Sequence, residues 1–101
     1  MGNQQVFRVV SPDNLLASTV DADGYTMNVQ ITENAMKLGA EKLQQRLTLV
    51  NRVAYLRSQA TKRDQMREAG IKDIDPDIPT WDDVTEAVAL LKAASIPPNT
   101  E

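Results

Sequence analysis

The sequence predicts an α+β fold, mainly α, in which an N-terminal arm or strand and a small β-hairpin precede one long helix, a proline-rich linker and one short helix. Three observations carry this. Residues 33–69 run without a proline and with a single internal glycine, and within them Met36, Ala40, Leu43, Leu47, Val50 and Ala54 recur at steps of four, three, four, three and four. That spacing puts all six on one face of an α-helix, as in a coiled-coil seam. Tyr25, Met27, Val29 and Ile31 alternate with Thr26, Asn28 and Gln30, the period of a strand with one buried face. Trp81, Val84, Val88, Leu91 and Ser95 again repeat at three and four, behind a linker held non-helical by Pro76 and Pro79.

In chain order, all of residues 1–101 read as one domain. Residues 1–14 are an arm or strand: QVFRVV over 5–10 is β-branched and apolar, and Ser11-Pro12-Asp13-Asn14 is a turn. Residues 15–31 form the hairpin around Asp21-Ala22-Asp23-Gly24, with Gly24 free to take a left-handed conformation. Pairing Val20 with Tyr25 gathers Leu16, Ser18, Val20, Tyr25, Met27 and Val29 on one apolar face, which an isolated hairpin must lay on the long helix or a neighbour.

Thr32 caps the long helix over 33–69, and Gly70 with Ile71 fits a Schellman close. The internal Gly39 reads as close approach of another backbone, or as a bend. Leu49, Val53, Leu56 and Ala60 make a second row beside the first, so the stripe is wide enough for two neighbours. Residues 71–79 are the linker. Residues 80–95 are the second helix, with Thr80 as N-cap and Asp83 at N3 as a shortened capping box; Pro97-Pro98 stops it, and 96–101 is a tail.

A helix of that length spans roughly 55 Å, whereas a compact chain of this size has a radius of gyration of about 13 Å. The expectation is therefore a partner along the seam. The candidate partner-interface residues are Met36, Ala40, Leu43, Leu47, Val50, Ala54 and Arg57, which continues the seam, with Trp81 as an aromatic anchor.

Composition removes most chemistry. The chain has no cysteine and no histidine, which excludes disulfides, thiolate catalysis and the commonest metal ligand and neutral-pH base. Tyr55 beside Arg52 or Lys62, and Asp82 and Asp83 with Glu86, lack a nucleophile or phosphate loop to serve, so no catalytic residue and no cofactor are expected. Asp73, Asp75 and Asp77 occupy the first, third and fifth positions of a calcium-loop pattern, but Ile78 stands where its glycine belongs and Val84 where its bidentate glutamate belongs. A solvated acidic linker, or one pairing with the basic helix, is the expected reading, and no metal is assigned.

Charge is unevenly placed along a chain of net −3: residues 41–68 carry seven basic and three acidic side chains, and 69–101 carry two basic and seven acidic ones. The basic groups sit on more than one helix face and no aromatic is interleaved to stack bases, so nucleic acid is not the expected partner. No run is long and apolar enough for a membrane span, and the N-terminus lacks a signal-peptide layout. The expected setting is the cytoplasm, or a particle assembled there.

These readings converge on a non-enzymatic assembly or structural subunit that oligomerises or docks on protein partners through its long helix, in a viral particle or another large complex. The alternatives are a small regulator or inhibitor of one protein target, and a weakly nucleic-acid-associated protein.

Overall fold

The order of elements is β1 (Val6–Val10), β2 (Leu16–Asp21), β3 (Thr26–Ile31), α1 (Glu33–Met36), α2 (Ala40–Glu68) and α3 (Trp81–Ser95), in a computed structural model that describes residues 5–95. The expected tail at 96–101, its Pro97-Pro98 stop and the first four residues lie outside the described residues. The α+β class, mostly helical, stands as expected. The three strands form an antiparallel sheet in the order β1-β2-β3, so residues 6–10 are a strand and not a free arm.

The hairpin departs from the expected register. Ser18 pairs with Val29 and Leu16 with Ile31, two residues further along than a Val20–Tyr25 closure would place them. The cause is the turn. Asp21 Oδ1 accepts the backbone N–H groups of Asp23 (2.9 Å) and Tyr25 (3.0 Å), so Asp21 and Tyr25 become the closing pair. Gly24 makes this possible at φ +92 and returns its N–H to Asp21 O. A bulge then follows: Thr19 pairs with Asn28 but Val20 with Thr26, leaving Met27 without a partner. Tyr25 and Met27, expected on the buried face, are exposed.

The long helix is interrupted. α1 is capped by Thr32, whose Oγ1 accepts the Ala35 N–H at 3.2 Å, but it ends after one turn at Met36. Gly39, at φ +90 and ψ 154, then serves as the N-cap of α2. That region of backbone space is essentially restricted to glycine. A Cβ added at Gly39 would meet nothing within 4 Å, so the glycine serves a bend and not the approach of another backbone. We expect Gly39→Ala to cost about 1–2 kcal/mol, or to fuse the two helices and lift Ala35 out of the core. Amide exchange at Ala35 should speed up accordingly; unchanged protection and stability would refute the requirement for a bend.

The C-terminus of α2 follows the sequence expectation. Gly70 N–H bonds Arg67 O and Ile71 N–H bonds Met66 O, both at 3.0 Å, with Gly70 at φ +87, which completes a Schellman close. At the start of α3 the Asp83 carboxylate accepts the Thr80 N–H at 2.9 Å, the reciprocal half of the capping box.

α2 lies between two neighbours of its own chain. On one side it packs on β1 and β2, where Asn51 Oδ1 accepts the hydroxyl of Ser18 (2.7 Å) and also reaches the hydroxyl of Thr26 at the start of β3 (2.9 Å). On the other it packs on α3, where the Trp81 indole N–H donates to Asp64 at 2.7 Å. The row Leu47, Val50, Ala54 shares the face of Asn51, and the row Leu49, Val53, Leu56, Ala60 continues toward Asp64. The stripe thus has its two neighbours, and both are intramolecular. Val50, Val53, Ala54 and Ala60 are completely buried.

Candidate interaction surface

The eight side chains expected at a partner interface divide into three groups. Val50 and Ala54 are sealed within the chain and offer nothing to a partner. The wrapping that the length argument denied is supplied by the sheet on one side and α3 on the other, and the interruption at Gly39 shortens the helix to 29 residues, about 43 Å. Leu43, Leu47 and Arg57 are half-buried, the two leucines packing against the rim of the core. Met36, Ala40 and Trp81 are exposed, but they do not adjoin one another along the seam: Met36 sits on α1, Ala40 opens α2, and Trp81 tethers the far end of α3 to Asp64.

A surface that the periodicity reading missed lies on β3. Because α2 covers β1 and β2, all six residues of β3 are exposed, including Met27, Val29 and Ile31. Between β3 and the N-terminal half of α2 runs a shallow groove lined by Thr26, Val29, Gln44, Leu47, Thr48 and Asn51. Met36, on α1 just after β3, is 61% exposed. The strip is therefore aliphatic, open and bordered by uncharged polar groups. The signal was present in TMNVQI, a six-residue strand with no charge and no proline; what was lacking was the knowledge that a third strand draws the helix away from it.

Several charged groups pair locally. Asp13, at the β1–β2 turn, pairs with Arg46 of α2 and also accepts hydrogen bonds from Ser11 Oγ (2.7 Å) and the Leu15 N–H (3.2 Å). Burial pushes this carboxyl upward, but the bonds from Ser11, Arg46 and Leu15, with the guanidinium charge, outweigh it and hold the pKa below its ordinary value. Lys62 lies 3.6 Å from Asp23, and Arg67 lies 3.8 Å from Asp64. Arg63 does reach the acidic linker, yet it binds the backbone carbonyls of Asp75 (3.2 Å) and Ile78 (2.9 Å), not a carboxylate.

Among the described residues no three acidic side chains converge in a way that could hold a metal ion. The Asp75 carboxylate is turned instead to the Asp77 N–H at 2.9 Å. An open cleft of about 620 Å³ is lined by Lys42, Gln44, Gln45, Arg46, Thr48, Leu49 and Ala94, and Arg46 within it is already committed to Asp13. Among the described residues no helix is long and apolar enough to cross a membrane. No protein-family model, curated protein or solved structure matches the chain.

Proposed function

We propose that the chain is a non-enzymatic docking subunit of a larger protein assembly, engaging a protein partner through the β3 strip and the adjoining N-terminal half of α2. One observation carries this reading: β3 is an uncharged edge strand, with Val29 and Ile31 36% and 42% exposed beside an open groove along α2, whereas the other edge, β1, exposes Val6 and Val10 but carries Arg8 between them. Exposed, uncharged and apolar edges are a liability that isolated proteins blunt with lysine or proline. This strand has neither. The groove beside β3 supports the same reading, since every residue that lines it is uncharged.

The reading departs from a helix-seam interface in one respect: Leu47 keeps a role as a lining residue of the groove, whereas Val50 and Ala54 have none outside the fold. Val29→Lys places a charge at the centre of the strip without touching the core. Wild-type protein should show a native mass above 11.2 kDa and a melting temperature that rises over roughly a hundredfold increase in concentration. The variant should lose both behaviours while keeping its helical circular dichroism. A wild-type monomer at every concentration, with concentration-independent melting, would defeat the assembly reading and favour a self-contained regulator.

A further inference from the structure

The backbone of β3 indicates what kind of strand can pair with it. Thr32 N–H donates to Leu15 O at 3.1 Å, and the register continues through Leu16–Ile31, Ala17–Gln30, Ser18–Val29 and Thr19–Asn28. Hydrogen-bonded and non-hydrogen-bonded pairs alternate along an antiparallel ladder. Thr32, Gln30 and Asn28 therefore direct their backbone groups inward to β2, and Val29 and Ile31 direct theirs outward. The bulge at Met27 limits the regular stretch on one side, while Thr32 remains extended at φ −78 and ψ 165 on the other. The regular run is thus 28–32, and its centre is Gln30.

We propose that a second copy of this chain pairs antiparallel with β3 about a two-fold axis at Gln30, joining the two sheets into one of six strands. The inference rests on the docking reading above and names its partner. In this register Val29 lies opposite the partner's Ile31 and Ile31 opposite the partner's Val29, so the outward N–H and C=O groups of both residues are satisfied in each copy. Four aliphatic side chains then meet on the face that carries α2.

Three features favour a copy over a foreign strand. An isologous interface sets each residue against its own neighbourhood, so any charge on the pairing strands would face its like; β3 carries none, and the guanidinium that reaches Gln30 comes from Arg8 on β1, two strands back from the axis. The parity of the pairing keeps aliphatic opposite aliphatic and polar opposite polar. At the axis, Gln30 Oε1 accepts Arg8 Nη2 at 2.6 Å through one lone pair, so its amide N–H groups are left to donate to the partner's Gln30 Oε1 and its second lone pair to accept the reciprocal bond. The other edge, β1, is less suited, because Arg8 stands at its centre.

The absence of native cysteine makes the test direct. Gln30→Cys places its sulfur opposite the partner's equivalent at a non-hydrogen-bonded position, where Cβ atoms approach within about 5 Å. Asn28→Cys lies opposite the partner's Thr32, with the two introduced thiols more than about 13 Å apart along the strand. Under mild oxidation, Gln30→Cys should convert to a disulfide-linked dimer roughly tenfold faster than Asn28→Cys. Equal rates, or a faster Asn28→Cys, would overturn the proposal. If neither variant cross-links while wild type still associates and Val29→Lys abolishes association, the copy-to-copy register is wrong and the docking reading survives. If wild type is monomeric throughout, both fall.

Discussion

Val50→Asp is expected to leave the chain unfolded at neutral pH, while Met36→Asp leaves its stability within about 0.5 kcal/mol of wild type. The two positions belong to the same sequence periodicity, four and three residues apart in regular steps, yet Val50 is completely buried and Met36 is 61% exposed. At Val50 the substitution removes an aliphatic side chain, worth about 1.5–3 kcal/mol of burial. It also introduces a carboxylate at a completely buried position, and an unpaired charge in a core costs about 3–5 kcal/mol. The sum is comparable to the whole stability of a small domain, about 5–15 kcal/mol. Circular dichroism at low protein concentration separates the outcomes. A folded, monomeric Val50→Asp protein would mean that the seam is covered by another chain after all, and that β1 and β2 do not close it.

The second large effect centres on Asp13. Its carboxylate joins the β1–β2 turn to α2 through Arg46, and it holds the turn by accepting from Ser11 and Leu15. The Arg46 side chain is 15% exposed, so removing its partner strands a largely buried cation. Asp13→Asn should cost about 1–3 kcal/mol in denaturant titrations at neutral pH. Because the folded pKa lies below the ordinary carboxylate value, the unfolded chain takes up the proton first as pH falls. The contribution is therefore complete above an unfolded-state pKa of about 3.9 and is lost as pH drops through the folded value. Wild type should lose stability over that acidic window more steeply than Asp13→Asn. Equal slopes for the two proteins would show that the pair does not couple folding to protonation.

Neither prediction could have been made from periodicity alone. Asp13 and Arg46 are 33 residues apart, and nothing local to either selects the other. Met36 and Val50 look equivalent until the chain bends between them. The bend itself was half legible: a single glycine in a helical run must mean either a close approach or a break, and only its φ of +90 and empty surroundings decide for the break. The hairpin was legible as a hairpin, but its register was not. Asp21 satisfies two N–H groups of the turn, which lengthens the closure, and the bulge at Met27 carries the difference into the strand.

What the sequence determined by itself is what depends on residues within a few positions of one another. The Thr32 and Thr80 caps, the Schellman close at Gly70, the proline-held linker and the two-row stripe on α2 all belong here, because backbone donors and acceptors at helix ends are satisfied locally. What only the tertiary structure decided is who covers which face. Residues 6–10 have the same composition as a strand or as an arm, and they become a strand because β2 offers them a partner edge. That third strand widens the sheet, α2 settles over β1 and β2, and β3 is left open. Burial is a property of the whole packing, since each apolar row is satisfied by any neighbour of the right shape, and the sequence of a row does not specify which neighbour arrives.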